Sequence, residues 1–477
     1  MKHLILPALL GTTVLAAPAL AQDHSGHAGH QEPEKPQDHS SHQGHPTGEK
    51  PEAVPQDEHA GMDHSGHQAP GRTKTDYSEG CSKNEVPWLD DSGEVIGSSE
   101  FLTCRPISGS GTSRLPAKEG AMHGVHIMSG DWMLMAHGSV SLQYTDHSGP
   151  RGDSQTYVTS MAMVTAQRDT GWGRVQFKSM LSLEPLMAPP GYPNLFATGE
   201  TAFGQPIIDR QHPHDLFMEL AARIDINAGS GSLFLYGGPV GEPALGPSAF
   251  MHRGSAKYNP EPPISHHWFD STHITYGVVT VGYAAPKWQI EASAFRGREP
   301  DEARWNIETP KLDSWSVRGT FNPSPKWSLQ VSYGELKEPE ALHPGEDEQR
   351  FTGSVHYANG KGLSAMAAFS RKGHDGDNHN SWLTEANWDL DPRNSLFSRI
   401  EVVDNGELFP NPLDPLHDEH FTVTKFQAGY ARRIPVGPFE LALGGSLSAY
   451  AKPAALDAAY GANPWGYTLF ARINLGN

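Results

Sequence analysis

The feature that most constrains this chain is an alternation of apolar and polar residues that starts near residue 131 and runs to the end. In residues 132–144 (WMLMAHGSVSLQY), one face carries Trp, Leu, Ala, Val, Leu and Tyr, and the other carries Met, His, Ser and Gln. Residues 326–333 (KWSLQVSY) and 465–475 (WGYTLFARINL) repeat the pattern. Segments of about ten residues with a period of two are typical of transmembrane β-strands.

Short turn-forming stretches separate these segments, and longer charged or proline-rich loops alternate with them. The turns are DTGWG (169–173), GSGS (229–232), APKW (285–288), NPSPKW (322–327), NGKG (359–362), DPRN (391–394) and PVGP (435–438). Seven tight hairpins with one further strand at each end predict an all-β fold for residues 131–477, a transmembrane antiparallel up-and-down β-barrel of about 16 strands. An even strand number places both termini in the periplasm. A soluble sandwich or propeller is disfavoured because aromatic residues cluster at the strand ends.

The first 130 residues have a different composition. Residues 1–21 join a basic start to an apolar run that ends in Ala21, which predicts an exported chain with a cleaved signal peptide. Residues 22–75 are polar and rich in proline, and we expect a disordered tail. Residues 76–130 are predicted to be a loop-rich periplasmic connector. Its Cys81 and Cys104 are expected to form a disulfide in that oxidising compartment.

Nine histidines lie in the tail, with almost no apolar residue beside them: His24, His27, His30, His39, His42, His45, His59, His64 and His67. Their frequent spacing of three residues, with glycine between, lets a flexible chain wrap an ion with several nitrogens. Imidazole binds Cu(II), Zn(II) and Ni(II). We therefore predict metal capture by the tail. The alternative is a solvated linker whose histidines are incidental.

Sulfur and imidazole ligands continue beyond the tail. Four precede the first strand: Met122, His123, His126 and Met128. Period two places three more on one face of that strand: Met133, Met135 and His137. Three others are predicted to face the lumen: Met161, Met163 and Met180. Such residues could relay copper, because thioether favours Cu(I) and imidazole Cu(II). They could equally pack beneath an infolded loop.

The pairing of these strands follows from the turn between them. A two-residue turn at Thr170-Gly171 would set Met161 opposite Met180, and Met163 is expected near His137 or Ser139. Two further histidine segments, DRQHPHD (209–215) and HHWFDSTH (266–273), end long loops. They could narrow a pore or pin a loop by hydrogen bonds. No serine has a G-x-S-x-G setting, and we expect no enzymatic activity.

Several stretches resemble a mostly uncharacterised family of exported bacterial outer-membrane barrel proteins associated with copper resistance. They are GTSRLPAKEGAMHGVHIMSGDWMLMAHG (111–138), GQPIIDRQHPHDLFMELA (204–221), VGEPALGPSAFMHR (240–253), HHWFDSTHITYGVVT (266–280) and ASAFRGREPDEARWNIE (292–308). The tail's MDHSGH (62–67) is similar to repeats of copper resistance protein B, although this tail has a single methionine. The resemblance implies a role in metal tolerance and supplies no catalytic residues.

These observations predict an outer-membrane protein of metal homeostasis that captures ions on a periplasmic tail and conducts them. Copper is the expected ion, with zinc or nickel as alternatives. The expected partners are outer-membrane lipid, metal ions and periplasmic metal-handling proteins. A net charge of −19 argues against nucleic acid. The alternative function is a general or substrate-specific porin whose tail is incidental.

Overall fold

The structure is a computed structural model that describes residues 84–89, 95–101, 107–120, 124–374, 377–417 and 419–476. The predicted signal peptide, the histidine-rich residues 22–75, Met122, His123 and both cysteines lie outside the described residues. The predictions for those residues stay predictions. No helix in the described ranges is long and apolar enough to cross a membrane.

Sixteen long antiparallel strands form a closed barrel, as the alternation of turns predicted. They are β1 (Trp132–His147), β2 (Ser154–Thr170), β3 (Gly173–Leu181), β4 (Phe217–Ala228), β5 (Gly231–Gly241), β6 (Thr275–Ala284), β7 (Trp288–Phe295), β8 (Ser314–Phe321), β9 (Trp327–Leu336), β10 (Glu348–Ala358), β11 (Leu363–His374), β12 (Asp377–Asp391), β13 (Asn394–Asn405), β14 (Phe421–Val436), β15 (Phe439–Ala451) and β16 (Trp465–Leu475). Each strand pairs with its neighbours in sequence, and β16 pairs with β1 to close the sheet.

Shorter elements lie between or before these strands. The short strands are Asn84–Leu89, Val95–Phe101, Ile107–Ser108, Arg114–Leu115, Val125–Ser129, Tyr192–Pro193, Glu200–Ala202, Gln205–Ile207 and Arg210–Gln211. The 3-10 turns are Ala117–Glu119, Glu184–Leu186, Phe250–His252, Gly254–Ala256, Ser271–His273 and Ala454–Leu456, and two single-turn helices are α1 (His266–Phe269) and α2 (Asp457–Tyr460).

All seven predicted tight turns connect neighbouring strands at one end of the barrel, which we call the tight-turn end. The N-terminal end of β1 and the C-terminal end of β16 lie there as well. The opposite end carries connections as long as residues 182–216 and 242–274, and we call it the long-loop end. Long external loops and short periplasmic turns are typical of outer-membrane barrels.

The barrel sheet begins earlier in the chain than predicted. The strand Val125–Ser129 pairs with residues 132–136 of β1. The adjoining residues 138–147 of β1 pair with β16 along the same edge. The short strand therefore continues the closed sheet at the tight-turn end. The sequence predicts that the connector extends to residue 130. Residues 125–129 (VHIMS) instead alternate in polarity like a strand and pair with the part of β1 that β16 leaves unpaired.

The outer face of the barrel is apolar. Val140, Leu142, Phe177, Ile226 and Leu233 are typical, each about half exposed on a strand. Exposed aromatic side chains gather toward the two rims. At the tight-turn end they include Trp172, Trp288, Trp327, Trp388 and Phe439, and at the long-loop end Trp315, Phe351, Trp382 and Trp465. An apolar band between two aromatic girdles is the surface that a membrane barrel presents to lipid.

The inner face surrounds folded chain rather than only open space. Residues 182–216, the first infolded loop, and residues 242–274, the second infolded loop, are largely buried. Residues 109–117 are buried too, and Arg114 donates a 2.9 Å hydrogen bond to Gln289 of β7. That stretch was expected in the periplasmic connector. Its polar groups find partners on the barrel's inner wall instead, as in the 3.0 Å hydrogen bond that Lys178 of β3 donates to the Gly111 backbone carbonyl.

Buried ion pairs attach the second infolded loop to the barrel wall. Arg253 lies 2.7 Å from Glu385 of β12 and 3.1 Å from Asp270, and Glu385 also binds Arg399 of β13. These four side chains are at most 1% exposed. A buried charge without a partner is costly, so the pairs fix the position of the loop within the barrel.

Candidate functional site

Strand pairing places the predicted sulfur and imidazole residues on one inner patch of the wall. Met128 lies opposite Met133, and His126 lies opposite Met135. Farther along β1, His137 lies opposite Met163 of β2, as predicted. Residues directly opposite in antiparallel strands share a face. The described members of the predicted series therefore form one continuous patch, which rises from the tight-turn end.

One predicted pairing in this patch is wrong. Met163, not Met161, lies opposite Met180 of β3, and Met161 lies opposite Ser139. The turn between β2 and β3 is at residues 171–172, one position later than assumed, and this shifts the register by two. Because side-chain direction repeats every two residues, all three methionines still face inward. Met163 and Met180 are 4% and 3% exposed.

The methionines pack together with residues that the sequence reasoning did not select. Met163 and Met180 form a cluster with Met218, Tyr276 and other buried side chains, and Met135, Met161 and Met251 pack against it. Met251 belongs to the second infolded loop. The arrangement matches the structural alternative, in which methionine packs beneath an infolded loop. It also brings six thioethers to one region of the lumen.

The methionine cluster separates two cavities. A cavity of about 420 Å³, the inner cavity, lies at the tight-turn end, and its lining includes His137, Met161, Met251 and His252. A smaller cavity of about 100 Å³, the middle cavity, lies deeper and is lined by Met161, Met251, Met218 and His214. Met161 and Met251 line both cavities. They therefore stand between the tight-turn end and the centre of the lumen.

Five histidines form a buried cluster beyond the middle cavity: His212, His214, His266, His267 and His273. They come from the two segments HPHD and HHWFDSTH, which the two infolded loops bring together. The ring of His273 lies 5.5 Å from that of His214 and 5.2 Å from that of His266. The ring of His266 lies 6.2 Å from that of His212 and 5.4 Å from that of His267. We call this group the histidine cluster.

Two of these imidazoles, His266 and His273, are held neutral with a ring nitrogen that lacks a hydrogen-bond partner among the described residues. His273 donates from Nδ1 to the Asp270 carbonyl at 2.6 Å, so its lone pair is on Nε2, which no described residue contacts by a hydrogen bond. Burial, followed by the nearby His214, lowers the pKa of His273 to about 3. His266 Nδ1 likewise has no hydrogen-bond partner within the described ranges. Burial and the neighbouring His273 lower the pKa of His266.

His252 at the inner cavity is in the same state, since neither of its ring nitrogens has a hydrogen-bond partner in the part of the chain that the structure describes. Burial, with the nearby His137, lowers the pKa of His252 well below its usual value. A metal ion binds neutral imidazole, because a proton on the nitrogen would block the bond. An unsatisfied buried nitrogen costs about 1–3 kcal/mol, and a bound cation would remove that cost.

On the side of the histidine cluster that is nearer the long-loop end, carboxylates lie beside the imidazoles. His267 Nδ1 lies 3.3 Å from Glu299, and its Nε2 lies 3.7 Å from Glu200. Burial opposes the charge on His267, but Glu299 and Glu200 outweigh it and raise its pKa to about 9. Glu200 Oε1 lies 2.8 Å from His212 Nε2. The ligand atoms of Glu200, His267 and Glu299 all lie within 4.8 Å of one another, and a cation bound there would have to displace the proton of His267.

A third cavity, of about 730 Å³, lies at the long-loop end, and we call it the outer cavity. Trp268, next to His267 in the chain, is part of its lining. Glu340, His343, His379 and His420 line it as well. Sulfur, imidazole and carboxylate groups are thus distributed between cavities at the two ends of the lumen. We call the inner cavity, the middle cavity and the histidine cluster together the lumenal passage.

Signals for the overlooked residues are weak in the sequence. Met251 and His252 lie in a loop, where period two gives no direction, and Met218 is the extra residue at an irregular step in the pairing between β3 and β4. The stretch FMHR (250–253) lies between the two histidine segments in the sequence. Nothing in the spacing of its residues predicted that it folds into the lumen.

The closed sheet, its apolar outer band and its two aromatic girdles define this chain as a transmembrane β-barrel of the outer-membrane class. Its strand number and its alternation of long loops and short turns are those of a porin-like barrel.

No protein-family model and no curated protein sequence matches the chain. Solved structures of outer-membrane barrels do resemble it. Salmonella typhi OmpF in complex with daunomycin has a TM-score of 0.49 at 7% identity, covering 74% of this chain and 100% of that one. Pseudomonas putida OprB has 0.46 at 11%, covering 73% and 94%. The anion-selective porin from Comamonas acidovorans has 0.45 at 12%, covering 72% and 100%.

Proposed function

We propose that this barrel binds transition-metal cations, copper foremost, and passes them through its lumen between the periplasm and the outside. The observation that carries the proposal is the lumenal passage. There, the thioethers shared by the inner and middle cavities lie between neutral imidazoles, with His252 on one side and His266 and His273 on the other, and larger cavities lie at the two ends of the barrel. Cu(I) is bound by thioether and imidazole, and Cu(II) by imidazole and carboxylate.

Passage needs sites that bind an ion without trapping it. Among the described residues, no short sequence motif supplies a complete set of ligands at any position in the lumenal passage. The ligands come from the barrel wall and from two infolded loops, and several are shared between neighbouring positions. Met161 and Met251, for example, line two cavities. An ion can therefore exchange one ligand at a time. The predicted histidine tail would concentrate ions near the tight-turn end.

A substrate-specific porin is the second candidate function. The observation that favours it is the barrel itself, because sixteen strands enclose a water-filled channel in porins. In this reading the methionines and histidines only pack the infolded loops, and the tail is incidental. The two functions differ in what the lumen admits.

The test is copper entry into liposomes that contain the full-length protein and a trapped Cu(I) chelator. The double variant Met161→Leu/Met251→Leu removes both thioethers between the inner and middle cavities. Leucine conserves volume, so each change should cost less than about 1.5 kcal/mol of stability. We expect the rate of copper entry to fall about tenfold, equivalent to a barrier increase of about 1.4 kcal/mol. Zinc entry should fall less, since zinc has less affinity for thioether.

The matched control is Met366→Leu. Met366 is also buried, at 2% exposure, but it packs in an apolar cluster with Leu383 and Trp268. This variant should conduct copper like the wild type. Unchanged copper entry in a correctly folded Met161→Leu/Met251→Leu protein would show that these methionines only pack.

A further inference from the structure

The outer cavity contains a group of metal-ligating side chains that is separate from the lumenal passage. Asp377 and His379 start β12, and His420 immediately precedes β14. His379 Nε2 lies 3.4 Å from Asp377 Oδ2, and His420 Nε2 lies 4.0 Å from the same oxygen. The two imidazole rings are stacked, with centroids 4.3 Å apart and planes inclined by 16°. Both rings thus present Nε2 to one carboxylate.

We infer that Asp377, His379 and His420 form a binding site for one divalent transition-metal ion at the long-loop end of the barrel. One ligand atom from each residue lies within 4.8 Å of the other two. Zinc holds nitrogen and oxygen ligands at about 2.0–2.2 Å in tetrahedral geometry, which separates neighbouring ligand atoms by roughly 3.4 Å. Small side-chain rotations would close the group around an ion.

A second carboxylate lies beside the other ring nitrogen of His379. Asp404 Oδ2, at the end of β13, lies 3.5 Å from Nδ1 of His379. Histidines that bind metal usually direct their other ring nitrogen to a carboxylate or carbonyl, which fixes the tautomer and the ring orientation. His379 has that arrangement, with Nε2 toward Asp377 and Nδ1 toward Asp404.

Charge balance favours this group over its neighbour in the same cavity. Glu340, His343 and Glu407 also bring three ligand atoms together, but Lys372 lies 2.7 Å from Glu340 and supplies a positive charge. Among the described residues, no lysine or arginine pairs with Asp377 or Asp404. The Asp377 group therefore has more to gain from a cation. Two imidazoles with carboxylate suit zinc, copper or nickel rather than calcium or magnesium.

The inference does not depend on the proposed function, because it uses no residue of the lumenal passage. If both hold, the site would hold ions at the outer mouth of that route. If the proposed function fails, a zinc ion should still bind at Asp377, His379 and His420.

The experiment must locate the ion, because the tail histidines of the full-length protein are expected to bind metal as well. Crystals of the full-length protein grown with ZnCl₂ should show anomalous scattering at the zinc edge between His379 Nε2, His420 Nε2 and Asp377. The peak should disappear in His379→Ala/His420→Ala. It should persist in His417→Ala, a histidine that lines the same cavity outside the group.

Solution titration of zinc into the same proteins gives a second measurement. The double variant should bind one equivalent less than the wild type. The near-isosteric Asp377→Asn should weaken that equivalent at least about tenfold, because loss of even an outer hydrogen-bonding partner of a metal ligand typically costs about 10–100-fold in affinity. Heat-modifiable mobility in gel electrophoresis, which compares unheated with heated samples, will show that each variant barrel is folded. Wild-type crystals without a zinc peak at this position, or a peak that survives in the double variant, would overturn the inference.

Discussion

Single buried charges determine where the second infolded loop lies. Glu385 accepts hydrogen bonds from Arg253 of that loop at 2.7 Å and from Arg399 of β13 at 3.0 Å. Both guanidinium groups are fully buried. Glu385 is therefore the common counter-ion of two arginines, and its removal would leave two charges in the barrel interior without this partner.

We expect Glu385→Ala to destabilise the protein by about 3–5 kcal/mol, the usual effect of removing one partner of a buried ion pair. The loosened loop should also raise ion conductance in planar bilayers. The control is Asp131→Ala. Asp131 lies 2.6 Å from Arg168, but both side chains are exposed, so the change should cost less than about 1 kcal/mol. Thermal unfolding in detergent measures both effects. Equal stability of the two variants would contradict this account of the loop.

The inward or outward direction of single residues was largely predictable from the sequence. Met133, Met135 and His137 face the lumen because period two leaves no other choice on a strand whose opposite face is apolar. The identity of their neighbours across the lumen was not predictable. Met218 and Met251 reach the same cluster through an irregular pairing and an infolded loop, and neither follows a periodic rule.

At the level of elements, loops from distant parts of the chain hold one another at the long-loop end. Asp209 of the first infolded loop accepts a 2.8 Å hydrogen bond from the Phe196 amide and a 3.2 Å bond from the Tyr460 hydroxyl. Arg151, in the connection between β1 and β2, lies 3.7 Å from Asp209 and donates to Tyr460. Asp209 has a positive φ of 63°, which aspartate and asparagine tolerate better than most residues.

This junction should make stability depend on pH. Burial raises the pKa of Asp209 from 3.8 to about 6, although Phe196 and Arg151 oppose the rise. The folded protein thus holds a proton that the unfolded chain releases. The resulting stability is fully present below pH 3.8 and is lost as pH rises through about 6. At about 1.4 kcal/mol per pKa unit, the loss is at most about 3 kcal/mol.

Asp209→Asn keeps the shape and the positive φ but does not titrate. We expect the difference in unfolding free energy between wild type and Asp209→Asn to change between pH 4 and 6.5 and to be constant above that range. Denaturant unfolding in detergent at several pH values measures it. A difference that is independent of pH would show that the carboxyl keeps its ordinary pKa.

The strands and turns were predictable as elements, and their exact register was less so. All seven turns were found from glycine, proline and asparagine, because those residues mark a change of chain direction whatever the rest of the fold does. The turn between β2 and β3 shows the limit. DTGWG permits a turn at residues 170–171 or at 171–172, and the pairing of Gly173 with Thr170 selects the second. The strand Val125–Ser129 was not predicted, because it is short and its residues lie at the end of the predicted connector.

At the level of the whole molecule, the barrel encloses folded chain, and this most distinguishes it from an open porin channel. The infolded loops and residues 109–117 occupy the interior, and contacts between residues more than a hundred positions apart hold them there. No periodicity predicts such contacts. The alternation of apolar and polar residues therefore predicted the wall of the barrel. The loops that fill the lumen could be identified only from the structure.

The filled interior leads to the central claim, that metal ions cross by exchanging ligands along the lumenal passage and larger solutes do not cross. The most direct measurement compares both in the same liposomes that contain the full-length protein. Copper entry is followed with a trapped chelator, and entry of a neutral sugar such as arabinose is followed by osmotic swelling. We expect copper to enter and the swelling to match that of protein-free liposomes. Sugar-driven swelling, with copper entry no faster than that of other small cations, would contradict the account and favour a porin.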